Sequence, residues 1–387
     1  MNYYERAKEL HEDLIRIRRH IHQNAECGMD MPMTAAFVKE ELKKIGCEPV
    51  EICPHTITAT IGKGEKTILL RADMDALPMM EESGLDFAAT NGNAHACGHD
   101  MHATGLLGAA RMLKENEANL PGKVKLFFQP GEEVFKGAEA AVAAGIMEGV
   151  DAALGVHVSS TGPVGVFCYN DSKPMMASCD GFRITITGKS THGSMPHTGI
   201  DPINIGVHIY LALQELIARE VDPAENCVLT LGKFQGGTAN NIIPDTAVLE
   251  GTLRTLNPEV RKYLVGRISE VAKAVAATYR GTVEIEALSS VPPLVLNTEL
   301  TKQSVEWIKQ LPLPMVYPSN GVVASASEDF AIIAEKVPSA YFFLCAQAKE
   351  GPAYNAHNAK VVFNEDVLPF ASSILAHCAT EWLKANA

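Results

Sequence analysis

The chain has no apolar run long enough to span a bilayer, and its amino terminus, MNYYERAKELHEDLIRIRRHIH, is an amphipathic charged segment without an apolar signal core. Those absences predict a cytoplasmic protein with no membrane partner. Basic charge is also scarce, since 33 Lys plus Arg stand against 46 Asp plus Glu, a formal net charge of −13. No basic stripe is left for a phosphate backbone, which excludes nucleic acid as a partner. The 9 cysteines lack the spacings of a disulfide framework and read as reduced thiols. Repeats, low-complexity tracts and coiled coils are missing as well. What remains is a globular chain of 387 residues, too long for one comfortable core, so two domains are expected.

Against that background one segment is dense in chemistry. Asn93 to His102, NAHACGHDMH, packs three imidazoles, a thiol and a carboxylate into ten positions. Cys97 and His99 are one residue apart, and a bent backbone, which Gly98 permits, points both side chains the same way. A thiolate beside an imidazole suits zinc and the later first-row metals rather than calcium or magnesium. On their own, His95 and His102 are equally readable as surface residues and Cys97 as a small buried apolar group.

Three strand-like runs strengthen the metal reading, because each ends in polar groups. Thr67 to Leu70 leads into Arg71, Asp73 and Asp75; Val124 to Phe128 leads into Gln129, Glu132 and Glu133; Ala152 to Val156 leads into His157. Each reads as a buried parallel strand, and ligands of open α/β sheets gather beyond the carboxyl ends of such strands. Helices are expected near Tyr3 to His22, Thr34 to Ile45, Met101 to Lys114 and Ala138 to Ala144, with Gly105 and Gly108 allowing close packing on a sheet. From about Asp180 the strands alternate, as in FRITITG and TAVLEGTLRTL, and two long helices lie near Pro202 to Arg219 and Pro258 to Tyr279. That texture predicts an inserted α+β domain over residues 181–293, between two parts of an α/β domain at 1–180 and 294–387.

Neighbouring carboxylates can divide labour, so Glu133 is expected as a metal ligand and Glu132 as the base. Ser327, Glu328 and Asp329 are expected to cap the helix beginning at Phe330. His192 and His197 sit in a Gly- and Pro-rich loop suited to substrate contact, and Arg254 can hold a carboxylate bidentately or form a surface ion pair.

The ordered set RADMDALP, HACGHDMH, QPGEE, GVH, GKSTHGSMPH, GGTANNIIPD, GTLRT and SEDFA resembles the dinuclear metal-dependent peptidase and amidohydrolase family of aminoacylase and carboxypeptidase G. Its Cys-Gly-His form is most similar to the subfamily of hippurate hydrolase, indole-acetyl-amino-acid hydrolases and N-acetyldiaminopimelate deacetylase. The resemblance implies a catalytic domain with a mostly parallel sheet flanked by helices, and a lid domain with a four-stranded antiparallel sheet and two helices. It further implies two divalent ions per subunit, zinc, manganese, cobalt or nickel, held by Cys97, His99, Glu133, His157 and His357, with the Cys97 thiolate bridging. Asp100 stands as the rival bridging ligand. Glu132 would be the general base, Asp75 would steady the site, and His192, His197, Asn241 and Arg254 would contact substrate. Asp73 in place of a metal-binding histidine argues against a dipeptidase. Ala25, Val134, Phe135 and Lys136 depart from the family pattern, and Phe135, Met175 and Met176 are expected to shape the acyl pocket.

The implied activity is hydrolysis of an N-acyl amino acid by metal-activated water, in a homodimer or tetramer, with the oxyanion stabilised by His192 of the same or the partner subunit. Alternatives are a dipeptidase or carboxypeptidase of the same fold, a cysteine hydrolase using Cys97, and a non-catalytic binding homologue.

Overall fold

A computed structural model describes the chain except Lys173 and Met315, and gives only the backbone for 316–319. Along the chain the elements are α1 (Tyr3–Glu9), α2 (His11–Gln23), α3 (Pro32–Lys44), β1 (Val50–Cys53), β2 (Thr56–Gly62), β3 (Thr67–Asp73), α4 (His99–Glu115), β4 (Lys123–Gln129), α5 (Gly137–Ala143), β5 (Ala152–Ser159) and β6 (Val166–Tyr169). There follow β7 (Cys179–Thr187), β8 (Thr191–His192), α6 (Pro202–Glu215), β9 (Cys227–Gly236), β10 (Ile242–Ile243), β11 (Thr246–Thr255), α7 (Pro258–Thr278) and β12 (Thr282–Val291). The chain ends with α8 (Thr298–Gln310), β13 (Val316–Asn320), α9 (Phe330–Ala334), β14 (Ser339–Cys345) and α10 (Leu368–Asn386).

Two compact units result: Met1–Lys173 with Val295–Val323 and Asp329–Ala387, and Pro174–Leu294 with Ala324–Glu328. The first holds an eight-stranded sheet in the order β1-β2-β4-β3-β5-β14-β6-β13. Its centre is parallel, since β3 pairs in parallel with both β4 and β5, and β5 with β14. The three strands with polar ends are therefore immediate neighbours, in the order β4-β3-β5, and point the same way. Every residue of β3 is buried, as the unbroken apolar run TILL requires of a strand covered on both faces.

The second unit holds the antiparallel sheet β12-β7-β11-β9 and the short ladder β10-β8. In β7 buried and partly exposed residues alternate from Phe182 onward, as in a sheet with one covered face. Ile184, Ile186 and Leu249 from the sheet pack with Ile205, Ile209, Leu264 and Ile268 of α6 and α7 in a core separate from that of the first unit.

Several local expectations need correction. The first helix is broken at Leu10 (φ −86°, ψ −4°), giving α1 and α2. The helix from Pro202 ends at Glu215 and widens into a π-helical turn over Leu216–Glu220. Gly105 and Gly108 of α4 serve a helix contact rather than a sheet contact. A Cβ at Gly105 would lie 3.1 Å from the Ala371 Cβ, and one at Gly108 would strike the Ser372 hydroxyl of α10 and, at 2.8 Å, Leu14 of α2. Asp329 does not cap α9 with its side chain. Its carboxylate instead accepts from Arg71 Nη2 (2.8 Å), Gln129 Nε2 (2.8 Å) and the Ala138 amide (3.1 Å), because a buried guanidinium outcompetes a helix end for a buried carboxylate.

The α4–α10 approach is thus set by the absence of side chains. Gly108→Ala is expected to lower stability by about 1–3 kcal/mol through overpacking, measured by chemical denaturation, with metal content unchanged.

Candidate metal centre

The Cys97 segment turns sharply into α4. Gly98 is left-handed (φ 87°), and a Cβ there would lie 2.5 Å from Val158 Cγ2, so only glycine fits at this junction of helix and β5. The turn lets Cys97, just before the helix, and His99, its first residue, face one point. Ligand atoms of Cys97, His99 and His157 lie within 4.8 Å of one another, as do those of Cys97, Glu133 and His357, and those of His99, Glu132 and Glu133. Cys97, His99 and Glu133 each belong to two of these groups.

Each side chain arrives on a different element. His157 comes from β5, and its Nδ1 lies 2.7 Å from its neighbour's carbonyl, Val158 O. That contact requires Nδ1–H, so the lone pair is on Nε2, which is 3.7 Å from Cys97 Sγ. Glu132 and Glu133 follow β4 on a turn held by Asp75, whose two oxygens accept from the Glu132 amide (3.0 Å) and the Glu133 amide (3.1 Å). Asp75 Oδ1 also lies 3.4 Å from His99 Nδ1. His357 comes from a distant loop whose amide donates to Ala96 O at 2.8 Å. It adopts φ 65°, a left-handed conformation uncommon for a non-glycine residue, and its Nε2 lies 3.4 Å from Glu133 Oε1.

The donor set fits divalent metal. His99 Nδ1 and Nε2 and Glu133 Oε1 are buried without a hydrogen-bond partner, a costly arrangement unless something else satisfies them. His99 Nε2 stands 3.9 Å from Glu133 Oε1, too far to bond directly but within the span of about 4.2 Å open to two ligands of one ion. Burial disfavours a charged ring at His99, yet Asp73 and Cys97 push its pKa well above the ordinary value, so the pocket attracts positive charge. Burial pushes the Cys97 thiol up to about 12, and a cation is what would make the thiolate the stable form at neutral pH. At His157, burial drives the pKa well below its ordinary value, leaving a neutral imidazole suited to ligation.

Asp100 is directed elsewhere. Its Oδ2 accepts from Arg18 Nε (2.6 Å) and His22 Nδ1 (2.8 Å), and it joins none of the groups of closely spaced donors found among the described residues. His95 and His102 are not surface residues, being 2% and 4% exposed. Their neighbours are remote in sequence: the His22 ring lies 5.9 Å from that of His95, and His102 bonds to Asp73 and the Val158 amide. The second unit brings together His192 and Asn241: β8 pairs with β10, placing Ile242 opposite His192, and the Gly193 amide donates to Asn241 O (2.7 Å). His192 Nδ1 accepts from the Ser194 amide at 3.1 Å. His197 is exposed in the following 3-10 turn, and Arg254 donates to Ser327 Oγ (2.6 Å) and forms no ion pair among the described residues. Met175 and Met176 are buried in that unit, and their main chain bonds to those of Leu294 and Ala324.

The model of the peptidase family M20/M25/M40 matches residues 69–381. The chain belongs to that family. It is 38% identical over 381 residues to thermostable carboxypeptidase 2 of Saccharolobus solfataricus, covering 96% of this chain and 95% of that one. It is 36% identical over 384 residues to N-acetyl-L-cysteine deacetylase of Bacillus subtilis, covering 97% and 90%. A crystal structure of a dinuclear metal-binding M20 peptidase from Bacillus subtilis superposes with a TM-score of 0.81 at 30% identity, covering 97% and 99%. This M20-family chain is therefore a metal-dependent hydrolase with a site for two ions.

The geometry separates Cys97 from Asp100. Cys97→Ala is expected to weaken metal binding by more than about tenfold, a loss at least as large as that of an outer-shell partner. Asp100→Asn should keep its metal, while breaking the buried pair with Arg18 costs about 3–5 kcal/mol of stability. Metal analysis after dialysis, with thermal denaturation alongside, checks both.

Proposed function

We propose that this chain is an amidohydrolase that removes the acyl group from an N-acyl amino acid. The observation that carries the reading is that Cys97 falls in two groups of closely spaced donors, beside a turn carrying a second, adjacent carboxylate. In this reading Cys97, His99, Glu133, His157 and His357 would hold two ions, with Cys97 common to two of the donor groups. Zinc suits the thiolate best, and manganese, cobalt or nickel suits the remaining donors. When bound, the ions would lower the pKa of water and polarise the amide carbonyl.

Glu132 is assigned as the proton carrier. It is buried beside Glu133, and Asp75 fixes the backbone of both. As the water oxygen bonds to the carbonyl carbon, Glu132 takes the water's proton and delivers it to the nitrogen as the C–N bond breaks. His192 is assigned to the developing oxyanion. The Ser194 amide on its Nδ1 supports this, because it leaves the proton on Nε2, where it can be donated. Asn241, His197 and Arg254 are assigned to substrate, Arg254 to its carboxylate. The name of the deacetylase relative supports an N-acyl substrate; that of the carboxypeptidase relative supports a peptidyl one, cleaved at the same kind of bond.

The α/β unit is proposed as catalytic and the α+β unit as lid and dimerisation domain. Val207 (43% exposed), Tyr210 (39%) and Leu211 (60%) form an apolar stripe on α6, at the spacing of one helix face, which supports burial against a second copy. Its 9 cysteines are free thiols, which supports a cytoplasmic location, and among the described residues no helix is long and apolar enough to cross a membrane.

Three outcomes check these assignments. Chelation should abolish release of amino acid from N-acetyl, N-benzoyl and indole-acetyl substrates, and a divalent ion should restore it. Glu132→Gln should keep both ions and lose about 10²–10⁴-fold in kcat; peptides cleaved in preference to every N-acyl amino acid would favour the carboxypeptidase reading. Leu211→Glu is expected to yield monomers in analytical ultracentrifugation, with the metal sites still filled.

A further inference from the structure

His102 is a buried imidazole outside the proposed ligand set, yet its ring lies 4.4 Å from that of His157 and 5.3 Å from that of His99, centroid to centroid. With Asp73 and His99 it forms a further group of closely spaced donors. Its hydrogen bonds decide against a third ion. Nε2 accepts from the Val158 amide at 2.8 Å, so that nitrogen carries no proton and its lone pair is used. The other nitrogen, Nδ1, then holds the ring's proton and donates it to Asp73 Oδ1 at 2.5 Å. Asp73 is fixed in turn by Arg71 Nη1 at 2.6 Å, and Arg71 by Asp329 and Gln129.

The main chain of Val158 is thereby gripped by two rings, one on its N–H and one on its carbonyl. His102 accepts from the Val158 N–H, while the Val158 carbonyl accepts from His157 Nδ1. We infer that His102 is a positioning residue for the metal centre: through the Val158 amide it holds the end of β5 so that His157 presents Nε2 toward Cys97. Asp73 sets the tautomer that makes this possible. The assignment rests on the two-ion reading above, so its test reads ion binding rather than turnover.

The two nitrogens of His102 can be imitated separately. Gln places an amide oxygen near the position of Nε2 and keeps an acceptor for the Val158 N–H. Asn places its amide near Nδ1, keeping the bond to Asp73 and losing the one to Val158. Cobalt(II) chloride titrated into the full-length apoprotein, by calorimetry and by the visible thiolate–cobalt spectrum, resolves the two sites. His102→Asn is expected to weaken one of the two ions by about 10–100-fold, the usual effect of losing an outer-shell partner, with the other unchanged. His102→Gln is expected to bind both as the wild type does. Equal behaviour of the two variants, or loss of both ions together, would overturn the assignment. If the Asn variant does not fold, the Gln variant alone decides, since loss of an ion from it contradicts the role. A wild type that binds no cobalt overturns the hydrolase reading itself and this inference with it.

Discussion

A carboxylate cannot be buried at the end of a central strand without neighbours that pay for its lost hydration, and Asp73, fully buried at the end of β3, imposes that requirement on the whole site. Burial alone would raise its pKa, but Arg71, His99 and His102 hold the carboxyl well below its ordinary range. Arg71 brings a second buried charge that must also be matched, and Asp329 matches it from just before α9. His102 brings a ring whose free nitrogen then organises the end of β5. The framework on which the candidate ligands stand is thus a chain of saturated buried charges. Among the buried polar atoms without a hydrogen-bond partner, both ring nitrogens of His99 and Glu133 Oε1 lie where the candidate ligands face one another.

A parallel sheet supplies the complementary constraint. Because β4, β3 and β5 are adjacent and run the same way, side chains at their carboxyl ends gather at one edge. Helix α4 begins at His99 after the left-handed Gly98, so it brings its first turn to the same edge. Two further backbone details complete the cluster. Asp75 accepts both amides of the Glu132–Glu133 turn, and the His357 amide bonds to Ala96 O, fastening a distant loop beside the cysteine.

Much of this architecture is legible in the chain itself because it is written locally. Apolar runs that stop at Asp73, Gln129 and His157 mark strand ends, and the one-residue spacing of Cys97 and His99 marks a turn. The contrast between unbroken runs before residue 160 and alternating ones after residue 180 separates the two kinds of sheet. What stays hidden depends on partners remote in sequence. His357 has no local signature, and only resemblance to a family points to it; its left-handed backbone and its bond to Ala96 emerge only in three dimensions. Asp329 reads as a cap because a local role is the default, while its real partner, Arg71, is 258 positions away. Asp100 and Cys97 are rivals on sequence alone, and the pairing of Asp100 with Arg18 on α2 emerges only in three dimensions.

Cys97 falls in two groups of closely spaced donors, so two ions held there would share its sulfur. Anomalous diffraction at the absorption edge of zinc, from crystals of the zinc-loaded protein, tests it most directly. Two anomalous peaks per chain are expected, both within bonding distance of Cys97 Sγ, one next to His157 and the other next to Glu133. A single peak, or a pair bridged by Asp100 with Cys97 left free, would contradict it.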